Sequence, residues 1–317
     1  GKHKDAVRKG VEFICDSLER TDSAGLEISD VEGTRLQHKL GRYVDTFLAS
    51  TTLADVKGTM PDEASEARLK RALETVLDKI ARHQQEDGTW GGAGWAPVLG
   101  QSLAGRGINR ALQLGIEVDE GLRKRTEQFA KAQFDAPAGK FSDEGAAGVD
   151  LYASTSSLSV LQETANANGP RRVELAQLAA SSEPAQQAEA RRELKQIEET
   201  EESLEAVQKA VLTRLDDPQF VAGFGSNGGE EFLSYLNISE SLKVDGGDAW
   251  KRWDAAMADN LNRVQNPDGS WSGHHCITGR TFCTSSALLV LMTYRKPAED
   301  VKIAEVVGDA ALGGPRR

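Results

Sequence analysis

One recurring unit constrains the fold of this 317-residue chain more than any other feature of its sequence. The unit is an amphipathic segment with charges between its apolar residues, a Gly-rich turn, and a second segment rich in Ala, Ser, Thr and Leu. Each such unit can bury its apolar face only against its neighbours. Five copies are readable, with amphipathic segments near 6–14, 68–83, 120–133, 203–215 and 250–265 and small-residue partners near 45–53, 101–114, 150–161, 230–242 and 280–291.

The small-residue segments carry so few charges that little of their circumference can face water. We therefore expect an all-α fold in which charged helices alternate with buried ones, as two concentric layers that form an α/α toroid. The outer helices would be wet on one face, and the inner helices would pack all round or line a central cavity. We expect a single domain over residues 1–317, and an open helical solenoid is the alternative.

The composition changes between Pro170 and Ala222, where glycine is absent and Glu, Gln, Ala and Arg dominate. Apolar residues in this stretch recur at spacings of three, four or seven, which predicts a long helix with one narrow apolar seam. We interpret residues 170–216 as an inserted helical hairpin, broken near 181–184, whose second arm runs into the fourth outer helix. The acidic cluster at 198–202 indicates a solvated face, and an arm that docks a protein partner is the alternative.

Two turns between the layers have nearly the same sequence, at 84–92 and 265–273. Each contains Asp-Gly, which tolerates the positive φ of a tight reversal, and a tryptophan that can pack against the neighbouring hairpin. The glutamine that opens each turn can satisfy backbone groups at the end of an outer helix. These structural positions are Gln84, Gly88 and Trp90 in the first turn, and Gln265, Gly269 and Trp271 in the second; weaker copies end at Phe141 and Phe224.

On these turns the chain resembles the terpenoid cyclase and protein prenyltransferase superfamily, whose members repeat a Gln-x-x-x-Gly-x-Trp signature around an α/α toroid. The resemblance covers most of residues 4–295 outside the insertion, and it makes this chain a divergent member with squalene-cyclase-type repeats. It implies more hairpins than the five readable here. The segment 299–312 is therefore expected to contribute a further outer helix, for which the sequence shows no clear partner helix.

The catalytic motifs of the superfamily do not carry over to this sequence. The acidic Asp-x-Asp-Asp motif of polyprene cyclases is missing, and so is the Asp-Asp-x-x-Asp motif that binds diphosphate and metal. Residues 150–154 resemble the zinc-binding Asp-x-Tyr-His-Thr stretch of protein prenyltransferases, but Ala153 stands in place of the histidine. We therefore expect no polyprene cyclase activity.

The densest chemistry lies at 271–284, where His274, His275, Cys276 and Cys283 could supply soft ligands for zinc. Their spacing matches no structural zinc module. One reading is a metal site that uses one histidine with Cys276 or Cys283, so zinc is a possible cofactor, although no cofactor is certain. The other reading is buried thiols beside histidines that are hydrogen-bonded near a polar pocket.

Several polar residues at the ends of the inner segments are expected to face the central cavity. An ion pair of Arg280 with Glu230 or Glu231 would brace the toroid, because buried charges need partners. Alternatively, the arginines could hold an anionic ligand. The expected cavity residues are Arg106, Arg110, Asp150, Tyr152, Glu230, Glu231, Tyr235 and Arg280.

The charge balance excludes two classes of partner. Thirty-eight basic against 49 acidic residues give a net charge of −11, which argues against nucleic acid and anionic membranes. The longest apolar run, 287–292, is far shorter than the about 20 residues of a transmembrane helix. We expect a soluble protein, either cytoplasmic or exported after removal of an unseen signal peptide.

The leading functional hypothesis is a toroid that binds a hydrophobic or peptide-like ligand in its central cavity or at its mouth. One alternative is a metal-dependent enzyme of isoprenoid or prenyl-group transfer with its site near His274 to Cys283. The other is a scaffold that docks a partner protein through the acidic insertion. Whether the chain is an enzyme stays open at this point.

Overall fold

A computed structural model of the protein describes residues 3–91, 93–180 and 183–293, and these residues are mostly helical. The helices are α1 (Lys4–Arg20), α2 (Arg35–Leu40), α3 (Val44–Val56), α4 (Glu63–His83), α5 (Pro97–Gln113), α6 (Glu120–Ala132), α7 (Asp150–Ala179), α8 (Pro184–Leu212), α9 (Pro218–Val221), α10 (Gly229–Asp245), α11 (Gly247–Arg263) and α12 (Arg280–Met292). Two short strands, β1 (Phe134–Asp135) and β2 (Lys140–Phe141), pair antiparallel between α6 and α7. The all-α class is confirmed, and the expected helix at 299–312 lies outside the described residues.

Five helices lie side by side in the order α3, α5, α7, α10 and α12. The more charged helices cover this row from outside: α4 packs on α3, α6 on α5 and α7, α8 on α7, and α11 on α10 and α12. The small-residue segments of the sequence correspond to the row, and the amphipathic segments correspond to its cover. Closure of the row into a ring stays a prediction.

Small residues allow the helices of the row to approach one another closely. A Cβ atom added to Gly107 of α5 would lie 2.0 Å from the Ser50 hydroxyl oxygen of α3. One added to Gly100 would lie 2.1 Å from the Leu40 carbonyl oxygen. No side chain fits at either place, so α5 depends on Gly107 for its packing on α3 and on Gly100 for its packing on the end of α2.

The last helix of the row differs from the other four in its burial. Helix α5 is buried over almost its whole length, whereas α12 exposes large apolar side chains on one side. Leu288 and Leu289 are each 45% exposed, and Met292 is 51% exposed. The row therefore has an uncovered edge at α12 in the part of the chain that the structure describes.

The glycine-free stretch forms the predicted helical hairpin, but its first arm has no boundary at Pro170. Helix α7 runs without interruption from the row to Ala179, with the exposed Pro170 inside it. The return helix α8 packs along it, and Leu175, Ala190 and Ile197 form a small separate core between them. The hairpin is thus an extension of one inner and outer helix pair beyond the main core.

The two tryptophan turns are built by matching hydrogen bonds. The Trp90 indole N–H donates to the Ile80 carbonyl of α4 at 2.7 Å, and the Trp271 indole N–H donates to the Leu261 carbonyl of α11 at 2.9 Å. Both indoles are buried, with 4% and 3% exposure. Each tryptophan therefore ties the turn back to the outer helix that precedes it.

The glutamine and glycine of each turn also match. The Gln84 amide donates to the Gly88 carbonyl at 3.1 Å, and the Gln265 amide donates to the Gly269 carbonyl at 2.8 Å. Gly88 and Gly269 have φ values of +87° and +83°, in the left-handed region that glycine adopts most easily. The repeat seen in the sequence is therefore a repeat of backbone conformation.

No helix in the described part of the chain is both long enough and apolar enough to cross a membrane.

The two turn glycines form a matched pair for a stability measurement. A Cβ atom at residue 88 would lie 2.4 Å from the Arg125 carbonyl oxygen, whereas one at residue 269 meets no atom of the described residues within 4 Å. Gly269→Ala should cost about 1 kcal/mol, the strain of a positive φ alone. Gly88→Ala should cost about 3 kcal/mol or more, because backbone must also move. Urea unfolding checks both values, and equal losses would contradict this account of the first turn.

Candidate functional site

An acid and aromatic cluster lies where α7 and α10 begin. It joins five residues expected from the sequence to three others, and its members come from α2, α7, α10 and the three loops before α5, α10 and α12. We call this set the acid–aromatic cluster: Lys39, Trp95, Tyr152, Phe224, Glu230, Glu231, His275 and Cys276.

Glycines before α10 let the elements of the cluster meet. A Cβ atom on Gly229 would lie 2.5 Å from the Ile277 side chain, so the loop before α12 can pack here only against glycine. The Glu231 carboxylate accepts the Gly228 backbone N–H at 2.8 Å, which caps the first turn of α10. The same carboxylate accepts the Phe224 backbone N–H at 3.0 Å. Glu231 thereby fixes both the helix start and the loop above it.

The Glu231 side chain is fully buried and carries further polar contacts. The Tyr152 hydroxyl donates to Glu231 Oε1, and burial, followed by the charge of Glu231, raises the pKa of Tyr152. His275 Nε2 lies 3.7 Å from Glu231 Oε2 and 2.7 Å from the Ser226 carbonyl oxygen. Because a carbonyl only accepts, Nε2 carries a proton. His275 Nδ1 is buried and has no hydrogen-bond partner among the described residues.

Glu230 is the least compensated acid of the cluster. Its side chain is fully buried, Oε2 accepts the Ile277 backbone N–H at 3.2 Å, and Oε1 has no partner in the described part of the chain. Burial raises the pKa of Glu230, and the neighbouring carboxylate of Glu231 adds to the increase. The raised pKa shifts the equilibrium towards the neutral carboxylic acid relative to an exposed glutamate, and in its neutral form Glu230 can donate a hydrogen bond.

Aromatic rings form the outer wall of the cluster. Trp95 contacts Tyr152 and Phe224 edge to face, with ring centroids 5.9 Å and 5.0 Å apart, and Phe224 contacts the His275 ring at 5.5 Å. The Lys39 ammonium lies 4.4 Å from the Trp95 centroid as a cation–π contact. Phe224 is nevertheless 55% exposed. In this weaker copy of the tryptophan turn the aromatic ring is therefore exposed, whereas Trp90 and Trp271 of the two full copies are buried.

The four expected metal ligands do not converge. His274 is exposed, whereas His275 faces Glu231. Burial raises the pKa of the Cys283 thiol to about 11 and also raises the pKa of Cys276, although Lys39 hydrogen-bonds the latter thiol and lowers it in part. No group of three His, Cys, Asp or Glu side chains that could hold a metal ion occurs among the described residues. Zinc therefore gains no support; Cys283 is a buried thiol, whereas Cys276 is only half-buried.

The residue Cys276 has one further unusual feature, a φ of +52°. Non-glycine residues adopt this conformation rarely and at some cost in energy. The loop before α12 holds this conformation beside Lys39 and Glu230, whose charges both act on the Cys276 thiol. Such strain often occurs at binding sites.

A second polar cluster lies about three helical turns further along α7 and α10, and it also includes residues of α3 and α5. Arg106 donates to Glu240 of α10, and Arg110 donates to Glu163 of α7 at 2.8 Å and to Asp55 of α3. Burial alone would lower the pKa of Arg110, but the three surrounding carboxylates outweigh it and raise the pKa above its ordinary value. Two guanidinium groups thus meet three carboxylates, and this geometry favours the bracing role over an anion site.

Three other expected cavity residues lie elsewhere. Arg280 pairs with Asp268 in the second tryptophan turn, so the predicted pair with Glu230 or Glu231 is wrong. Arg280 is the first residue of α12, and the exposed turn before this helix places Asp268 next to it. Glu230 and Glu231 are instead buried at the start of α10. Asp150 is half-exposed and pairs with Arg214 at 2.7 Å, and the buried Tyr235 hydroxyl donates to the Val221 carbonyl. Neither Asp150 nor Tyr235 belongs to the acid–aromatic cluster.

Sequence reasoning missed three members of this cluster. The sequence contained a signal for Trp95, because Pro97 marks the start of α5 and Trp95 lies two residues before it. Trp95 could therefore have been placed in the loop that leads into this inner helix. Phe224 stands between two glycines, a context that suits a loop better than a packed corner. Lys39 is one of many basic residues and carries no such signal.

The helical hairpin borders a groove with a volume of about 280 Å³ between α6 and the pair α7 and α8. Charged side chains line it, and several are paired, such as Lys131 with Glu127 at 2.7 Å and Arg171 with Glu193 at 2.9 Å. From the acidic run, Glu201 pairs with Arg172 at 2.8 Å. A protein partner at this hairpin stays a prediction.

No protein-family model matches this chain, and no curated protein sequence matches it significantly.

The raised pKa of Glu230 predicts a specific dependence of stability on pH. The folded protein keeps this proton to a higher pH than the unfolded chain, whose carboxyl titrates near 4.5. The contribution of Glu230 to the free energy of unfolding should therefore fall as pH rises above that value. Glu230→Gln removes this loss, so its stability relative to the wild type should improve between about pH 4 and about pH 7.

Urea unfolding across this pH range checks the prediction, with Glu198→Gln on the exposed face of α8 as the control. The control should keep a constant difference from the wild type. A constant difference for Glu230→Gln as well would contradict the assignment of a neutral, buried acid.

Proposed function

We propose that this chain binds a ligand, hydrophobic or peptide-like, at the acid–aromatic cluster, which lies at the mouth of a toroid related to the terpenoid cyclase and prenyltransferase superfamily. The observation that carries the proposal is that one cluster combines an exposed Phe224 ring with the fully buried acid Glu230, whose Oε1 has no partner among the described residues. No polyprene cyclase chemistry is included, because the sequence lacks its acidic motifs.

The apolar part of the ligand would pack on Phe224 and Trp95. Burying a phenylalanine side chain is favourable by about 1.5–3 kcal/mol, so leaving this one in water has a cost that a ligand would remove. Neighbouring aromatic rings already hold Phe224 in place on one side, at Trp95 and His275. A preformed aromatic surface loses little conformational entropy on binding.

The polar part of the ligand would meet Glu230 and His275. The neutral acid of Glu230 can donate a hydrogen bond, and His275 Nδ1 can accept one because Nε2 carries the proton. A hydroxyl or amide group offers both a donor and an acceptor. This pairing supports an alcohol or a peptide-like amide as the head group on an apolar body.

The alternative of a metal-dependent prenyl-transfer enzyme has less support. The residues described in the structure provide no three-ligand group for zinc, and both cysteines of the region favour the protonated thiol. Ligand binding needs none of these features. Ligand binding would instead use Glu230 Oε1 and His275 Nδ1, which are buried and have no hydrogen-bond partner among the described residues.

A substitution at Phe224 tests the proposal against a control at Phe13, which is 68% exposed on α1, away from the cluster. Farnesol serves as the hydrophobic probe and N-acetyl-phenylalanine amide as the peptide-like probe, each followed by tryptophan fluorescence. Four of the five tryptophans are buried, so Trp95 in the cluster should report most of the change. We expect Phe224→Ala to weaken binding by about tenfold or more, as loss of an aromatic anchor does.

Phe13→Ala should bind both probes as the wild type does. Binding that is equal in the two variants would place the ligand elsewhere. The absence of binding of either probe to the wild type would contradict the proposed ligand classes.

A further inference from the structure

One cation of the acid–aromatic cluster, Lys39, has no acid paired with it among the described residues. Its ammonium contacts the Trp95 ring at 4.4 Å and the Cys276 thiol, and it forms no salt bridge in the part of the chain that the structure describes. By contrast, Arg214 pairs with Asp150, the first residue of α7, at 2.7 Å. The cluster therefore holds a positive charge that an anionic ligand could neutralise.

Backbone hydrogen bonds hold Lys39 beside Trp95. The Trp95 N–H donates to the His38 carbonyl at 3.0 Å, and the Ala96 N–H donates to the Lys39 carbonyl at 2.8 Å. These two bonds fix the end of α2 against the loop before α5, so the Lys39 side chain starts from a fixed point. A group that the fold positions in advance loses less conformational freedom when it meets a ligand.

Neither acid of the cluster pairs with Lys39. Glu231 accepts hydrogen bonds from the Tyr152 hydroxyl and from the Phe224 backbone N–H at 3.0 Å, so the fold already uses its charge. Burial raises the pKa of Glu230, although Lys39 lowers it in part. Glu230 therefore balances the charge of the ammonium less than an exposed carboxylate would.

The cation and the exposed ring of the cluster contact the same tryptophan. The Lys39 ammonium and the Phe224 ring centroid lie 4.4 Å and 5.0 Å from the Trp95 centroid. Lys39, Trp95 and Cys276 are each only partly buried, and Phe224 is 55% exposed. A small ligand that packs on these rings can therefore also reach the ammonium.

We propose that Lys39 selects ligands that carry a carboxylate, so that the ligand is an apolar acid. This inference rests on the proposed function, because it needs a ligand that lies on Trp95 and Phe224. The carboxylate would accept a hydrogen bond from the Lys39 ammonium, and a charge-assisted bond of this kind is stronger than a neutral one. A single ammonium near two acids suits a singly charged carboxylate better than a doubly charged phosphate. Lys39 is thus a specificity-determining residue of the site.

Two pairs of probes that differ mainly in charge test the proposal. They are N-acetyl-phenylalanine with its amide, and farnesoic acid with farnesol. Isothermal titration calorimetry measures each dissociation constant near about pH 7, where both acids are ionised. We expect the wild type to bind each acid about tenfold more tightly than its neutral counterpart. This preference should shrink as the salt concentration rises, since salt screens a partly exposed ion pair.

Substitutions of Lys39 separate its charge from its packing. Lys39→Met keeps the apolar stem and should lose the preference for the acids, while the neutral probes keep their wild-type affinity. Lys39→Arg keeps the charge and should retain the preference. The control Lys251→Met changes the net charge by the same amount on α11, at a side chain that is 76% exposed, and should bind all four probes as the wild type does.

The outcomes distinguish this inference from the proposed function. Equal binding of acids and neutral probes by the wild type, or a preference that persists in Lys39→Met, would overturn the inference alone. An equal loss of affinity for acids and neutral probes in Lys39→Met would also overturn it, since Lys39 would then only support the Trp95 ring. If no probe binds, or if Phe224→Ala binds all four as the wild type does, the proposed function fails and the inference fails with it.

Discussion

Close packing of helices through small side chains is the constraint on which the rest of this structure depends. Where α5 meets α3, a methyl group at Gly107 would overlap Ser50, and where it meets the end of α2, a methyl group at Gly100 would overlap Leu40. Helices this close leave little room for large side chains at these contacts, and the buried acids and aromatic rings of the candidate site lie where α7 and α10 begin, at the ends of inner helices. The acid–aromatic cluster occupies such an end, where loops can bring Trp95 and Phe224 over the buried acids.

The sequence allowed the helical class and the alternation of charged and small-residue helices to be predicted, because both follow from composition and spacing. It also identified Tyr152, Glu230, Glu231 and His275 as polar residues with a special role. It could not identify their partners. Arg280 illustrates the reason, since its pairing with Asp268 depends on the path of one turn and not on the positions of acids along the helices.

The aromatic residues and the lysine of the acid–aromatic cluster were harder to predict than its buried acids. Buried acids are unusual enough to be noticed in a charge-poor helix, whereas Lys39 and Phe224 become significant only when loops distant in sequence are placed together. Pro170 was a misleading signal for a related reason. Extensive packing of α7 on α8 outweighs one missing backbone hydrogen bond, so the helix continues where its sequence suggested a boundary.

The buried ion pairs that join α5 to α7 and α10 affect how these helices align lengthwise with one another. Helices rich in Ala, Ser and Gly have similar surfaces from one turn to the next, so apolar packing alone distinguishes poorly between positions shifted lengthwise. Sliding one helix by a turn, about 5.4 Å, would separate Arg110 from Glu163 and leave unpaired charges in the interior, at a cost of several kcal/mol. These few ion pairs thus fix the lengthwise register of helices whose surfaces are otherwise similar from one turn to the next.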